Sequence, residues 1–201
     1  MTKGRVYIIS GPSGSGKDTL MKKVFEKAPH IAFSISSITR PMRPGEVEGE
    51  KYNFISRERF EEMIANDELL EHNVFVGNYY GTPKAPVVNC IESGRDILIE
   101  VDVNGAIQIR EKMPDVVSIF IMPPSLEILK NRLTGRGTDS QEVIEKRLNE
   151  ALREISSAKD YDYIVVNDDL ETAAEDFVGI MSADKFKTDR NLELINKILN
   201  K

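Results

Sequence analysis

The stretch "GPSGSGKDT", Gly11 to Thr19, constrains the fold more than any other part of the chain. It follows the apolar run "RVYIIS" and opens a segment in which Leu20, Met21, Val24 and Phe25 share one helical face. Strand, glycine-rich turn, lysine and helix is the context that makes a phosphate-binding loop credible. Gly11, Gly14 and Gly16 permit the tight turns and, with Pro12, Ser13 and Ser15, leave backbone N–H groups free to face phosphate oxygens. The start of the helix adds the positive end of its dipole, and Lys17 adds a point charge for the β- and γ-phosphates. The usual pattern, G-x-x-x-x-G-K-[ST], is broken at Asp18, where a carboxylate replaces the hydroxyl expected on Mg²⁺. Asp18 reads either as a Mg²⁺ ligand or as a favourable acid in the first turn of a helix. Thr19, one residue on, carries a hydroxyl that can donate to a phosphate.

Beyond the loop, strands alternate with helices. Residues 31–36, "IAFSIS", alternate like one strand, "DILIEVD" and "VVSIFIM" read as buried parallel strands, and "YIVV" as the last. Helices are expected over 17–27, 104–112, 125–133, 141–158 and 170–182, with a further amphipathic one carrying Leu192, Ile195, Ile198 and Leu199. This rhythm predicts an α/β chain whose parallel sheet has helices on both faces. Residues 37–82 interrupt it with a Gly/Pro/Arg/Glu-rich loop, a short strand, a short helix and hairpin material, and read as an inserted mixed α+β subdomain.

Composition narrows the partners. The chain has 201 residues and a net charge of −6, which speaks against a broad nucleic-acid surface. No apolar run is long enough for a membrane span, and the N-terminus enters a strand without a signal-peptide h-region. The single cysteine, Cys90, suits a cytoplasmic protein. Arginines nevertheless cluster at 40 and 43, and again at 132, 136 and 147, which fits a small phosphorylated ligand. Arg40 and Arg43 offer bidentate donors to one phosphate dianion, and Tyr52 adds a hydroxyl. Downstream, Glu71, Tyr80 and Thr82 follow. A buried carboxylate accepts from guanine N1–H and N2–H₂, a hydroxyl can donate to O6, and adenine lacks that donor pair. Arg132, Arg136 and Arg147 flank a glycine-containing loop between two helices, as in a closing lid that neutralises charge on a transferring phosphoryl group.

The stretches "GPSGSGK", "TRPMRPGEVEGEKYNF", "GNYYGT", "EVDVNGA", "PPS", "RLTGRGTDS" and "YIVVNDDL" together resemble the guanylate kinases, a family of P-loop nucleoside-monophosphate kinases, over nearly the whole chain. The resemblance implies a P-loop core over 1–36 and 83–201 with a mobile helical lid at about 126–157, and a GMP-binding subdomain over 37–82. It implies ATP:GMP phosphotransfer with Mg²⁺. ATP would lie on Gly11–Thr19, with Asn167 near the adenine, although an Asn/Asp helix cap is the alternative for this stretch, with Asp168 or Asp169 serving as the cap. Arg40, Arg43, Tyr52 and Tyr80 would hold the GMP phosphate, with Glu46 supporting the arginines. Ser36, Glu71, Thr82 and Asp102 would read guanine. Lys17, Arg40, Arg132, Arg136 and Arg147 would act in catalysis. Asp18 and Glu100, which depart from the commonest family residues, would face the metal. Two rivals stand beside this reading. A ribose 1,5-bisphosphate phosphokinase can carry Asp after the loop lysine, and an inactive guanylate-kinase-like binding module would be expected to lose the lysine or the lid arginines. Partners are then ATP and GMP, with dGMP left open, in a monomer or homodimer without nucleic acid or membrane.

Overall fold

In the computed structural model, which describes residues 3–134 and 141–199, the chain runs β1 (Val6–Ser10), α1 (Lys17–Lys27), β2 (Ala32–Phe33), β3 (Ser36–Ile38), β4 (Tyr52–Phe54), α2 (Arg57–Ala65), β5 (Leu69–Phe75) and β6 (Asn78–Pro83). It continues through α3 (Lys84–Glu92), β7 (Ile97–Glu100), α4 (Val103–Lys112), β8 (Val117–Met122), α5 (Leu126–Thr134), α6 (Gln141–Ser156), β9 (Tyr163–Val166), α7 (Leu170–Asp184) and α8 (Leu192–Leu199). The first sheet is wholly parallel, in the order β2-β7-β1-β8-β9. Every residue of β1 is buried because both of its faces carry helices. Tyr7 and Ile9 pack on one side with Leu20 and Val24 of α1 and Phe177 of α7. Val6 and Ile8 pack on the other with Val87 of α3 and Ala106 and Ile109 of α4. The phosphate loop leaves the carboxyl end of β1, between β7 and β8, where the connections diverge to the two sides of the sheet; ligands of open α/β sheets bind at that place.

The second sheet, β4-β3-β6-β5, is mixed: β3 and β4 are parallel, the other pairs antiparallel. It carries its own small core of Phe60, Met63 and Leu69, with Tyr79 stacked on Phe60 at 5.0 Å. The run 31–36 is therefore not one strand. Ala32 and Phe33 pair with β7, and the amide of Ser34 still donates to Leu98, but Ser36–Ile38 hydrogen-bonds in the other sheet. The chain crosses between sheets inside an uninterrupted alternating pattern, because both sheets demand the same period of two. The strand expected over 96–102 likewise stops at Glu100, since Asp102 turns to cap α4.

The carboxyl-terminal segment is tied to the core by a buried charge. Asp184 accepts from Arg5 (3.2 Å), Arg190 (3.0 Å) and the Tyr7 hydroxyl (3.2 Å), and Lys187 lies 3.1 Å away. Burial pushes its carboxyl up, but Lys187, Arg5 and Arg190 more than reverse that and hold it below the usual aspartate range. A depressed carboxyl contributes stability above its unfolded pKa of about 4 and loses it as pH falls through the folded value. Asp184→Ala is expected to cost about 3 kcal/mol, because it removes the buried carboxylate that Arg5, Arg190 and the Tyr7 hydroxyl share. Thermal melts should show a clear drop at pH 7 and a shrinking difference toward pH 3; equal melting curves at pH 7 would refute this. Helix α8 forms as expected, with Leu192, Leu194, Ile198 and Leu199 exposed.

Candidate active site

Gly16 adopts φ 85° as the residue before α1, and a Cβ there would meet the Asn167 amide nitrogen at 2.4 Å. Only glycine satisfies both the left-handed turn and that close approach. Lys17, the first residue of α1, folds its ammonium back to donate to the carbonyls of Gly11 (2.5 Å) and Pro12 (3.5 Å). Burial lowers its pKa, opposed by Glu100, Glu154 and Asp18. Glu154 of α6 was not singled out by the sequence; its own carboxyl is pushed up by burial, with Lys17 working against that. The Ser15 hydroxyl is buried and has no hydrogen-bond partner among the described residues. Asp18 and Thr19 are exposed at the start of the helix.

Two of the three arginines expected on a lid, Arg132 and Arg147, reach this loop. Arg132 donates to the carbonyls of Ser15 (3.3 Å) and Asn167 (3.0 Å), and Arg147 donates to the Ser13 hydroxyl (2.8 Å). Helices α5 and α6, which carry them, pack through Leu129, Leu133 and Ala151. Arg136 lies outside the described residues. Asn167 is buried and spends its amide nitrogen on the Ser15 carbonyl at 2.8 Å. It does not cap a helix; Asp169 caps α7. In this arrangement Asn167 is a brace under the phosphate loop.

Across from the loop, the arm formed by the second sheet presents a rigid cationic fork. Arg40 makes a bidentate pair with Glu46, at 2.7 and 2.5 Å, and Glu46 also accepts from the backbone N–H of Arg43 at 2.7 Å. The Arg40 hydrogen bonds, then the Arg43 amide, hold the Glu46 carboxyl down to about 2. The Arg40 guanidinium lies over the rings of Tyr52 (5.4 Å) and Phe54 (5.6 Å) and is buried, and its pKa is raised chiefly by Glu46, with the Tyr80 hydroxyl adding to the effect. Tyr52 and Tyr80 thus flank one arginine, while the Arg43 side chain is exposed beside it. A planar fork fixed in this way has little entropy left to lose on gripping a phosphate.

Deeper in the arm, a bulge between Leu69 and Glu71 shifts the register of β5 against β6. Leu70 turns into the core of the first sheet, and Glu71 is set opposite Thr82. Both are buried, and the Thr82 hydroxyl donates to the Glu71 carboxylate at 2.7 Å. The proton expected to reach a purine O6 is therefore spent on Glu71 in this geometry. Burial pushes the Glu71 carboxyl up to about 7; the Thr82 hydrogen bond opposes this and the charge of Asp102 adds to it. Gly105, which the sequence reading did not single out, explains how α4 comes so close: a Cβ would lie 3.0 Å from the Glu71 carboxylate. Asp102 accepts from the Gly105 amide (2.7 Å) as the cap of α4 and from the Asn73 side chain (2.8 Å). Ser36 lies on β3 in register with Tyr52.

Asp18 and Glu100 meet through a residue the sequence reading passed over. The Lys51 ammonium lies 2.6 Å from Asp18 Oδ1 and 3.1 Å from Glu100 Oε2. Burial works to lower the Lys51 pKa, but Glu100 and Asp18 outweigh it and the net shift is upward. Among the described residues no group of three or more His, Cys, Asp or Glu gathers as a metal cage. Two converging carboxylates are nevertheless the protein share usual for Mg²⁺, which takes its other ligands from water and substrate phosphates. The donor set fits that ion. Among the same residues no helix is long and apolar enough to cross a membrane.

A glycine loop and lysine at the topological switch of a parallel sheet, faced by an arginine-bearing arm and approached by Arg132 and Arg147, define a P-loop kinase. Comparison with known proteins gives the family. A sequence model described as guanylate kinase matches residues 3–184. The chain is 47% identical over 190 residues to a guanylate kinase of Carboxydothermus hydrogenoformans, covering 94% of this chain and 93% of that one. It is 48% identical over 193 residues to the guanylate kinase of Clostridioides difficile, covering 96% and 94%. The crystal structure of guanylate kinase from Anaplasma phagocytophilum superposes with a TM-score of 0.79 at 36% identity, covering 98% of this chain and 95% of that one. The chain belongs to the guanylate kinase family.

Proposed function

We propose that the chain transfers the γ-phosphoryl group of ATP, bound with Mg²⁺, to GMP, giving ADP and GDP. The observation that carries this reading is the buried Glu71–Thr82 pair standing behind the Arg40–Glu46 fork on one sheet. A fixed carboxylate deep in the arm suits the N1–H and N2–H₂ edge of guanine, and the fork nearer the surface suits the 5′-phosphate. Arg40, Arg43, Tyr52 and Tyr80 hold that phosphate, and Ser36, Glu71, Thr82 and Asp102 bound the base. ATP lies on Gly11–Thr19, with Asn167 bracing the loop beneath it.

A phosphate oxygen of GMP attacks the γ-phosphorus in line, and the bond to the β–γ bridging oxygen breaks to release ADP. No general base is needed, because a phosphate monoester with a second pKa of about 6 is already anionic at pH 7. Lys17 and the lid arginines neutralise charge on the equatorial oxygens, which is where phosphoryl-transfer catalysis is concentrated. Asp18 and Glu100 would hold Mg²⁺, which supplies charge neutralisation on the phosphates. The reaction takes place in the cytoplasm.

A ribose bisphosphate kinase would explain Asp18 but has no use for a buried Glu71–Thr82 pair. A binding module has no use for Lys17, Arg132 and Arg147 gathered on one loop. ADP release should be measured with GMP, AMP or ribose 1,5-bisphosphate offered separately. Turnover is expected with GMP alone, with AMP at least 10⁴-fold poorer in kcat/KM because a purine lacking the donors leaves buried polar groups unpaired. Turnover of the sugar phosphate without GMP turnover would overturn the reading.

A further inference from the structure

Lys51 precedes β4 on the arm, yet its ammonium sits at the phosphate-loop corner. It gathers Asp18 from the first turn of α1 and Glu100 from the carboxyl end of β7. Three segments distant in sequence thus meet at one cation. The Asp18 side chain is 71% exposed and that of Glu100 19%, so this pairing is not imposed by a packed core. An ammonium within 3.1 Å of both carboxylates fills the space a shared ion needs. Mg²⁺ would draw on the same two carboxylates, and its charge opposes an ammonium held against them.

We propose that Lys51 is a positioning residue that competes with the divalent cation for Asp18 and Glu100, so that the lysine contact favours the arm's place at the phosphate loop and metal loading weakens that one contact. Because linkage is reciprocal, whatever the lysine takes from metal affinity, the metal takes from the lysine contact. The proposal rests on the reading of Asp18 and Glu100 as metal-facing groups, not on the identity of the phosphate acceptor. It accounts for the carboxylate at position 18: a hydroxyl there would still serve the metal but would leave Lys51 only Glu100 as an ionic partner.

The test uses Mn²⁺ alone, titrated into the nucleotide-free full chain and followed by the paramagnetic resonance signal of the free ion. Lys51→Met is expected to bind Mn²⁺ roughly fivefold more tightly than the parent, the size of effect a partly exposed ion pair produces. Lys51→Arg should stay near the parent, and adding Asp18→Asn to Lys51→Met should remove the gain. Lys51→Gln carries the same expectation if the methionine variant does not fold. Unchanged or weaker Mn²⁺ binding in a folded, charge-removed variant overturns the proposal. The gain in a chain that fails to phosphorylate GMP would support it while overturning the functional reading above.

Discussion

Glu71→Gln is expected to lower kcat/KM for GMP by about 10- to 100-fold while leaving the KM for ATP within about twofold. The carboxylate is buried and already holds one donor, the Thr82 hydroxyl. In the reading above, its remaining lone pairs accept from the guanine donors. Glutamine keeps the shape but replaces an acceptor oxygen by an N–H₂ that opposes the guanine donors. Charge-assisted hydrogen bonds are worth about 1.5–3 kcal/mol each, which gives the range stated. Because burial pushes this carboxyl up to about 7, the parent should lose GMP affinity as pH falls through that value, and the variant should lack that limb. Stability runs the other way. A carboxyl raised above its unfolded pKa of about 4.3 loses the folded state stability as pH rises from there toward 7. The glutamine variant is therefore expected to melt no lower than the parent at pH 8. Unchanged GMP kinetics in steady-state assays would remove Glu71 as the base reader. A large drop in melting temperature alongside lost activity would make its role structural.

The sequence disclosed those features that depend on local pattern. Alternating apolar strands and amphipathic helices foretold a parallel sheet covered on both faces, and Gly16-Lys17 foretold a turn that only glycine can make. Features set by distant partners were hidden. "IAFSIS" satisfies either sheet, so nothing local marks the crossing at Ser34 and Ile35. The bulge beside Leu70 shows in sequence only as two adjacent leucines, each bound for a different core. Asn167 follows the last strand, and only the fold shows its amide nitrogen holding the Ser15 carbonyl across 152 residues of sequence separation. Lys51 is one charge in the highly charged run "GEVEGEK", and only the fold brings Asp18 and Glu100 to it. Gly105 acts through the Cβ it lacks, which leaves a trace only as the glycine of "VNGA".

Lys17→Met should have the largest effect of any substitution considered, a loss of about 10²- to 10³-fold or more in kcat with the KM for GMP little changed. The loop is built around that ammonium: it lies 2.5 Å from the Gly11 carbonyl, Glu100, Glu154 and Asp18 sustain its charge against burial, and Asn167 and Arg132 fix the loop from below. None of these groups touches the arm's fork, so the acceptor's ground-state binding should survive. What disappears is a fixed charge at the place where negative charge shifts during transfer, and an interaction stronger in the transition state than before it lowers kcat rather than KM. Methionine keeps length and apolar volume, so a melting temperature near that of the parent is expected. Arginine should not rescue, because a planar guanidinium does not fit a carbonyl cradle shaped for a point charge. Single-turnover kinetics with saturating ATP and GMP separate chemistry from product release. A Lys17→Met enzyme retaining more than a tenth of the parental single-turnover rate would show that the loop's amides and the lid arginines carry the transition state without it.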